Sequence, residues 1–123
     1  MNETVLYIDD SQDNILVVQR LLRRARPDIR LYIAGTGGDG IRAAADTGPA
    51  LILLDNRLPD TNGEQVLRRL TADPATAAIP VIILSGDSGR QTVKELLAAG
   101  AADFLAKPFD IHQLLTLIER YLR

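Results

Sequence analysis

Five polar residues, each placed at the end of a short apolar run, could combine into one reactive site: Asp9, Asp10, Asp55, Ser85 and Lys107. Three carboxylates held close together repel one another, and a hard divalent cation with oxygen ligands would neutralise them. Lys107 adds a fixed positive charge and Ser85 adds a hydroxyl donor. This combination suits a transferring phosphoryl group. Asp55 is the candidate nucleophile, which would form an acyl phosphate.

The chain around these residues alternates between apolar runs and helical patterns. Short apolar runs predict five strands, at Thr4–Ile8, Arg30–Ala34, Ala50–Leu54, Ile79–Leu84 and Ala102–Ala106. Helical periodicity predicts five helices, at Gln12–Ala25, Asp39–Asp46, Glu64–Ala72, Gln91–Ala99 and Ile111–Leu122, the last with Asp110 as its N-cap. Strict alternation predicts an α/β fold with a parallel sheet between two helical layers. Because ligands bind outside the carboxyl ends of such strands, the five polar residues should meet at one rim.

Length and composition fit one domain over residues 1–123 and exclude several classes of site. The chain is 46% hydrophobic with a net charge of −2, which does not favour direct nucleic-acid binding. It has no cysteine and one histidine, which excludes disulfides, thiolate zinc sites and most histidine-based sites. The longest apolar stretches are far shorter than the roughly 20 residues of a spanning helix. A cytoplasmic location without membrane insertion is therefore expected.

The motifs as a set resemble the receiver domain of two-component response regulators, the CheY-like family. The matching segments occur in the expected order over nearly the whole chain: Asp9-Asp10, Asp55-Asn56-Arg57-Leu58-Pro59 with Gly63, Ser85, and Lys107-Pro108-Phe109. The resemblance implies a flavodoxin-like (βα)5 three-layer sandwich with sheet order 2-1-3-4-5. The opening VLYIDDSQDN resembles receivers of hybrid sensor histidine kinases. Whether the chain is a stand-alone regulator or part of a larger protein stays open.

The same resemblance implies a role for each residue of the site. Asp55 would accept the phosphoryl group, and Lys107 would hold one of its oxygens. Asp10, Asp55 and the backbone carbonyl of Arg57 would bind Mg²⁺ or Mn²⁺ directly, with Asp9 acting mostly through water. No organic cofactor is implied. The domain would promote its own phosphorylation and slow dephosphorylation, and would not be an enzyme acting on a separate substrate.

A switch and its partners are also implied. Ser85 would move toward the phosphoryl group, Phe104 would turn inward in response, and the Lys107–Pro108 bond would be cis. A histidine kinase or a histidine phosphotransfer domain would supply the phosphoryl group, and the output partner is unknown. A phosphorylation-dependent homodimer stays open. The output surface, formed by the fourth helix, the fifth strand and the fifth helix, offers three candidate side chains: Leu105, Leu117 and Tyr121.

Two pairings of side chains give further hypotheses. Leu16 is predicted to point outward beside Arg20 and Arg23, and we expect it to contact the phosphodonor protein. Arg57 and Asp87 lie two residues after Asp55 and Ser85. We expect them to pair across the mouth of the site and to restrict water, which would lengthen the lifetime of the acyl phosphate.

Three other interpretations are weighed against this one. A phosphorylation-independent binding module would be expected to lack Asp55 or Lys107, and both are present. The segment Gly35–Gly40 matches a dinucleotide-binding fingerprint. It follows the second strand, at the predicted sheet edge and away from the switch point, so nucleotide binding is rejected and a loose turn is expected. Asp9 and Asp10 would, in the third interpretation, only cap the first helix.

Overall fold

Five strands and five helices alternate along residues 3–122, the part of the chain that the computed structural model describes. The strands are β1 (Thr4–Ile8), β2 (Arg30–Ala34), β3 (Leu51–Asp55), β4 (Val81–Ser85) and β5 (Asp103–Ala106). The helices are α1 (Gln12–Ala25), α2 (Gly37–Thr47), α3 (Gly63–Ala72), α4 (Arg90–Ala98) and α5 (Ile111–Tyr121). The parallel strands form one sheet in the order β2-β1-β3-β4-β5. The predicted flavodoxin-like α/β fold and its strand order are confirmed.

Side-chain alternation along the strands divides the interior into two apolar layers. On β1, Val5 and Tyr7 join the core cluster beneath α1 and α5, while Leu6 and Ile8 join the cluster beneath α2, α3 and α4. Successive side chains of a strand point to opposite faces, so a strand covered on both faces must be apolar throughout. The buried strands β1, β3 and β4 meet this requirement except at their ends, where polar residues stand.

Two of the predicted reactive residues lie within strands and not after them. Asp55 is the last residue of β3 and pairs in register with Leu84, and Ser85 is the last residue of β4 and pairs with Ala106. The sequence boundaries were therefore one residue too early at these ends. The ladder fixes the backbone of both residues at the rim of the sheet, which positions their side chains more firmly than a loop would.

The predicted loose turn at Gly35–Gly40 is wrong. Helix α2 begins at Gly37, and Thr36 caps it by accepting a hydrogen bond from the backbone N–H of Asp39. The Asp60 carboxylate, in the loop after β3, accepts hydrogen bonds from the N–H groups of Gly37 and Gly38 at 2.8 and 3.0 Å. These bonds satisfy N–H groups that a helix start leaves without partners. A tertiary contact thus overrides the weak helix propensity of glycine.

Side-chain caps define the starts of the helices that flank the site. Ser11 caps α1 by accepting from the N–H of Asn14, and Asp110 caps α5 as predicted. The interpretation of Asp9 and Asp10 as the α1 caps is therefore wrong. Within residues 3–122, none of the helices combines the length and apolar character that a transmembrane span requires.

Candidate functional site

Three aspartates converge at the carboxyl ends of the adjacent strands β1 and β3. One carboxylate oxygen each of Asp9, Asp10 and Asp55 lies within 4.8 Å of the others. Asp9 and Asp55 are buried, whereas Asp10 is exposed. An all-oxygen donor set with an open side is what Mg²⁺ or Mn²⁺ prefers, because such ions keep several waters. The donors present therefore fit the cation that the sequence predicts.

Protein donors already engage both oxygens of Asp9. Its Oδ1 accepts a hydrogen bond from the backbone N–H of Ser11 at 2.9 Å, and its Oδ2 accepts one from the Tyr7 hydroxyl at 2.6 Å. The side-chain amide of Asn14 lies 3.5 Å from the same Oδ2. These three donors use most of the roughly four acceptor positions of a carboxylate, and the water-mediated role of Asp9 stays a prediction.

Sequence reasoning missed Tyr7. Its side chain is fully buried, and it lies two residues before Asp9, on the same side of β1. Burial raises the pKa of the Tyr7 hydroxyl, and the hydrogen bond to Asp9 raises it further. The detectable signal was a tyrosine inside an apolar strand, since a buried phenol usually needs a polar partner.

Lys107 reaches the site from the position directly after β5, a strand that lies two positions away from β3 in the sheet. Its Nζ donates to Oδ1 of Asp55 at 2.8 Å and lies 3.7 Å from Oδ2 of Asp9. The Lys107–Pro108 peptide bond is cis, as predicted. Burial raises the pKa of the Asp55 carboxyl, the hydrogen bond from Lys107 opposes this rise, and the negative charges of Asp9 and Asp10 add to it. The net direction is upward.

The buried Ser85 hydroxyl is turned into the loop that follows β4. Its Oγ accepts from the N–H of Asp87 at 3.0 Å and donates to the carbonyl oxygen of Asp87 at 3.1 Å. The Asn56 side-chain amide lies 3.4 Å from the same Oγ. On the neighbouring strand, Phe104 is half-buried and packs against the core cluster beneath α2, α3 and α4. The structure thus places Ser85 beside the carboxylates and Phe104 on the strand next to it.

An open cavity of about 810 Å³ lies over these side chains. Its lining residues are Asp10, Asp55, Asn56, Arg57, Leu58, Pro59, Ser85, Gly86, Asp87 and Lys107. The sequence-predicted residues that line it are four of the five polar residues together with Arg57, whose backbone carbonyl was the further expected ligand. The fifth, Asp9, lies beneath the cavity floor, because it is fully buried.

The expected ion pair between Arg57 and Asp87 is not formed. The Asp87 carboxylate instead accepts hydrogen bonds from the N–H of Gly89 at 3.0 Å and from the Thr92 hydroxyl at 2.8 Å. These two bonds are the main reason that the pKa of Asp87 is lowered, and Arg57 adds only a smaller electrostatic contribution. Helix α4 has no side-chain bond at its cap residue Gly89, so Asp87 supports the start of that helix.

The glycine-rich segment at the start of α2 also has no free place for a phosphate. The Asp60 carboxylate occupies the N–H groups of Gly37 and Gly38, where a dinucleotide phosphate would need to bind. A Cβ on Gly40 would lie 2.5 Å from Cδ1 of the buried Ile8. Gly37 and Gly40 therefore serve the close packing of α2, which agrees with the rejection of nucleotide binding.

The sequence of the chain is similar to those of many known proteins. A family model described as the response regulator receiver domain matches residues 5–119. Response regulator PleD of Caulobacter vibrioides is 38% identical over 113 residues, covering 89% of this chain and 24% of that protein. Protein PilH of Pseudomonas aeruginosa is 34% identical over 118 residues, covering 96% of each chain.

Among solved structures, the chain is similar to the receiver domain of the sensor histidine kinase PA1611 from Pseudomonas aeruginosa. The TM-score is 0.86 at 27% identity over 98% of both chains, and that structure has a magnesium ion coordinated in its active site cleft. A receiver domain of a histidine kinase from Syntrophus aciditrophicus gives a TM-score of 0.87 at 28% identity, covering 98% of this chain and 89% of that one. The chain spans only about a quarter of the length of PleD.

Proposed function

This chain belongs to the response regulator receiver domain family, and we propose that Asp55 is the residue that accepts its phosphoryl group. The domain is a receiver of two-component signalling, a family whose function is Mg²⁺-dependent phosphoryl transfer. The observation that carries the assignment is the 2.8 Å contact between Lys107 Nζ and Asp55 Oδ1, beside two further carboxylates. Asp55 lies at the cavity surface, where a donor's phosphoryl group can reach it.

The residues that would hold Mg²⁺ or Mn²⁺ are Asp10, Asp55 and the backbone carbonyl of Arg57, with Asp9 acting through water. The chemistry that the ion supplies is charge neutralisation and coordination of a phosphoryl oxygen. The unequal numbers of charges support this assignment. Three clustered carboxylates face one lysine, which leaves two negative charges for a divalent cation to compensate.

The chain's own residues carry the transfer. An oxygen of Asp55 attacks the phosphorus of a phosphohistidine, so that an O–P bond forms as the N–P bond breaks and the imidazole leaves with the bonding electrons. Lys107 is released from Asp55 and donates to a phosphoryl oxygen, which stabilises the negative charge on the oxygens of the transferring phosphoryl group. The domain thereby promotes its own phosphorylation and slow dephosphorylation, without a separate substrate.

The switch follows from the hydroxyl of Ser85. Once Asp55 carries a phosphoryl group, Ser85 exchanges its bonds to Asp87 for a bond to a phosphoryl oxygen. This movement draws the loop after β4 toward the site. Phe104 then turns inward, into space beside the displaced loop, and the surface of α4, β5 and α5 changes for the output partner.

The proposed phosphodonor is a histidine kinase or a histidine phosphotransfer domain, and its docking point includes Leu16. Leu16 is 45% exposed on α1, and Arg20 and Arg23 lie one turn and about two turns further along the same helix. An exposed leucine within a basic rim suits a partner that is apolar at its centre and acidic around it.

Because ATP-dependent kinases supply the phosphohistidine, we expect the domain in the cytoplasm. The receivers of sensor kinases among its structural relatives support a hybrid kinase as one origin.

Intact mass spectrometry after incubation with acetyl phosphate and MgCl₂ tests the proposal. The natural protein should gain one phosphoryl adduct, and Asp55→Asn should gain none. The matched control is Asp87→Asn, a carboxylate in the same cavity, which should still gain one adduct. Absence of an adduct from the natural protein would favour the phosphorylation-independent binding module instead.

A further inference from the structure

We propose that Tyr7 is a positioning residue for the cation site and acts by fixing the carboxylate of Asp9. The inference rests on the proposed function, since it concerns the same cation. Tyr7 touches neither the cavity nor the place where the cation would bind, because its side chain is fully buried in the core cluster beneath α1 and α5. Among residues 3–122, the polar partner of its side chain is Asp9, so its influence must pass through the hydroxyl bond to that carboxylate.

That contact joins two fully buried side chains. The Tyr7 ring is packed in the core, and its hydroxyl donates to Oδ2 of Asp9 at 2.6 Å, within the short range of hydrogen bonds to a charged acceptor. The backbone N–H of Ser11 donates to the other oxygen, Oδ1, at 2.9 Å. One donor on each oxygen fixes both the position and the rotation of the carboxylate plane. This is the arrangement by which an outer layer of hydrogen bonds orients the groups around a metal.

The alternative partner for Asp9 shows why this orientation matters. Lys107 Nζ lies 3.7 Å from Oδ2 of Asp9, the same oxygen that Tyr7 holds, and 2.8 Å from Asp55. Without the phenol, Oδ2 of Asp9 keeps only the long contact of 3.5 Å to the Asn14 amide and can turn toward the lysine, because a buried carboxylate oxygen that loses its strong donor gains by approaching a positive charge. Asp9 would then compete with Asp55 for Lys107 and be withdrawn from the water shell of the cation. Tyr7 thereby keeps the lysine for Asp55 and keeps Asp9 for the cation.

Calorimetric titration with MgCl₂ tests the inference on the full chain. Tyr7→Phe should bind Mg²⁺ about tenfold more weakly than the natural protein, in line with losses of outer-layer partners at metal sites. The matched control is Tyr32→Phe, which removes a hydroxyl from a half-exposed tyrosine on the edge strand β2 and should leave the affinity unchanged. An unfolding curve recorded by circular dichroism in the absence of Mg²⁺ checks that Tyr7→Phe is folded.

A double-mutant cycle separates positioning from general destabilisation. In an Asp9→Asn background, Tyr7→Phe should cause no further loss of Mg²⁺ affinity, because the proposed effect passes through Asp9. Equal affinities for Tyr7→Phe and the natural protein would overturn the inference and leave the proposed function standing. An additive loss in the Asp9→Asn background would overturn it as well. A natural protein that binds no Mg²⁺ would contradict the proposed function itself.

Discussion

Ser85 and Asp87 form a closed pair, in which one hydroxyl accepts from the N–H and donates to the carbonyl of the same residue, at 3.0 and 3.1 Å. The hydroxyl hydrogen of Ser85 is bonded to the carbonyl oxygen of Asp87 within the same loop, so it is not directed at Asp55. For Ser85 to donate to a phosphoryl oxygen, its bond to the carbonyl oxygen of Asp87 must break, because a hydroxyl has a single hydrogen to donate. The loop after β4 and the occupancy of Asp55 are therefore energetically linked.

Ser85→Ala separates phosphorylation from its consequence. The variant should lose about 1 kcal/mol of unfolding free energy, the typical net value of one hydrogen bond, and should still gain the adduct. Nuclear magnetic resonance shifts of α4 should change on phosphorylation in the natural protein and much less in the variant. Ser88→Ala, at an exposed position of the same loop, is the control and should respond as the natural protein does. A full α4 response in Ser85→Ala would contradict the linkage.

Asp55→Asn should become relatively more stable than the natural protein as the pH rises, in the presence of EDTA. The folded-state pKa of Asp55 is raised above the ordinary aspartate value of 3.8, so between these two values the folded protein binds more protons than the unfolded chain. Stability contributed by the protonated form is thus present below pH 3.8 and lost as the pH rises through the folded pKa. Asparagine does not ionise and escapes this loss.

Urea unfolding from pH 3 to pH 7 measures the difference between the two proteins. In EDTA, the stability of Asp55→Asn relative to the natural protein should increase as the pH rises. In MgCl₂ this increase should be smaller, because an ion that binds only the folded natural protein stabilises it. A difference independent of pH would show that ionisation of Asp55 costs the folded state nothing.

Arg57→Ala and Asp87→Ala should have unequal effects on stability. Asp87 holds the start of α4 through Gly89 and Thr92, so its removal should lower the urea midpoint, while Arg57→Ala should leave the midpoint nearly unchanged. An ion pair would give equal losses for the two single variants and no greater loss for the double variant. Equal losses would restore the hypothesis that Arg57 and Asp87 pair across the mouth of the site. Rates of dephosphorylation measured in the same three variants would then test its effect on the lifetime of the acyl phosphate.

Gly40→Ala should destabilise the protein by about 1–2 kcal/mol, because the cost of overpacking exceeds the gain in helix propensity. The added Cβ would lie within 2.5 to 3.0 Å of three atoms of Ile8, which is fully buried. Gly35→Ala is the control, since a Cβ there meets nothing within 4 Å, and should be close to neutral. Thermal unfolding of both variants decides whether the glycine motif serves packing.

Leu16→Ala should slow phosphotransfer from a phosphohistidine domain about tenfold while leaving the reaction with acetyl phosphate unchanged. A tenfold change corresponds to about 1.4 kcal/mol, a reasonable loss for a central leucine in a contact. Leu97→Ala is the control, because Leu97 is 49% exposed but lies on α4. The donor would be the fastest of a panel of purified phosphohistidine domains. Equal rates for the two variants would exclude Leu16 from the docking surface.

The residues of the site were predictable because each follows an apolar run that could only be a buried strand. β1, α1 and β2 begin and end where the sequence predicts, since alternation and caps agree there. The start of α2 was not predictable, because it depends on Asp60, 22 and 23 residues further along the chain. The Arg57–Asp87 pair failed for a related reason: Asp87 finds a closer partner in Thr92. Local patterns are visible in one sequence, and competition between tertiary partners is not.

The position of Lys107 on the far side of β4 has a consequence for the order in which the site is completed. Asp55 and Lys107 are 52 residues apart, and the lysine reaches the carboxylates only when β5 has paired with β4. A chain emerging from the ribosome therefore exposes all three aspartates before their positive partner has been synthesised. The last strand to be made is the one that gives the acidic cluster its lysine, so competence to accept a phosphoryl group arises only with a complete sheet.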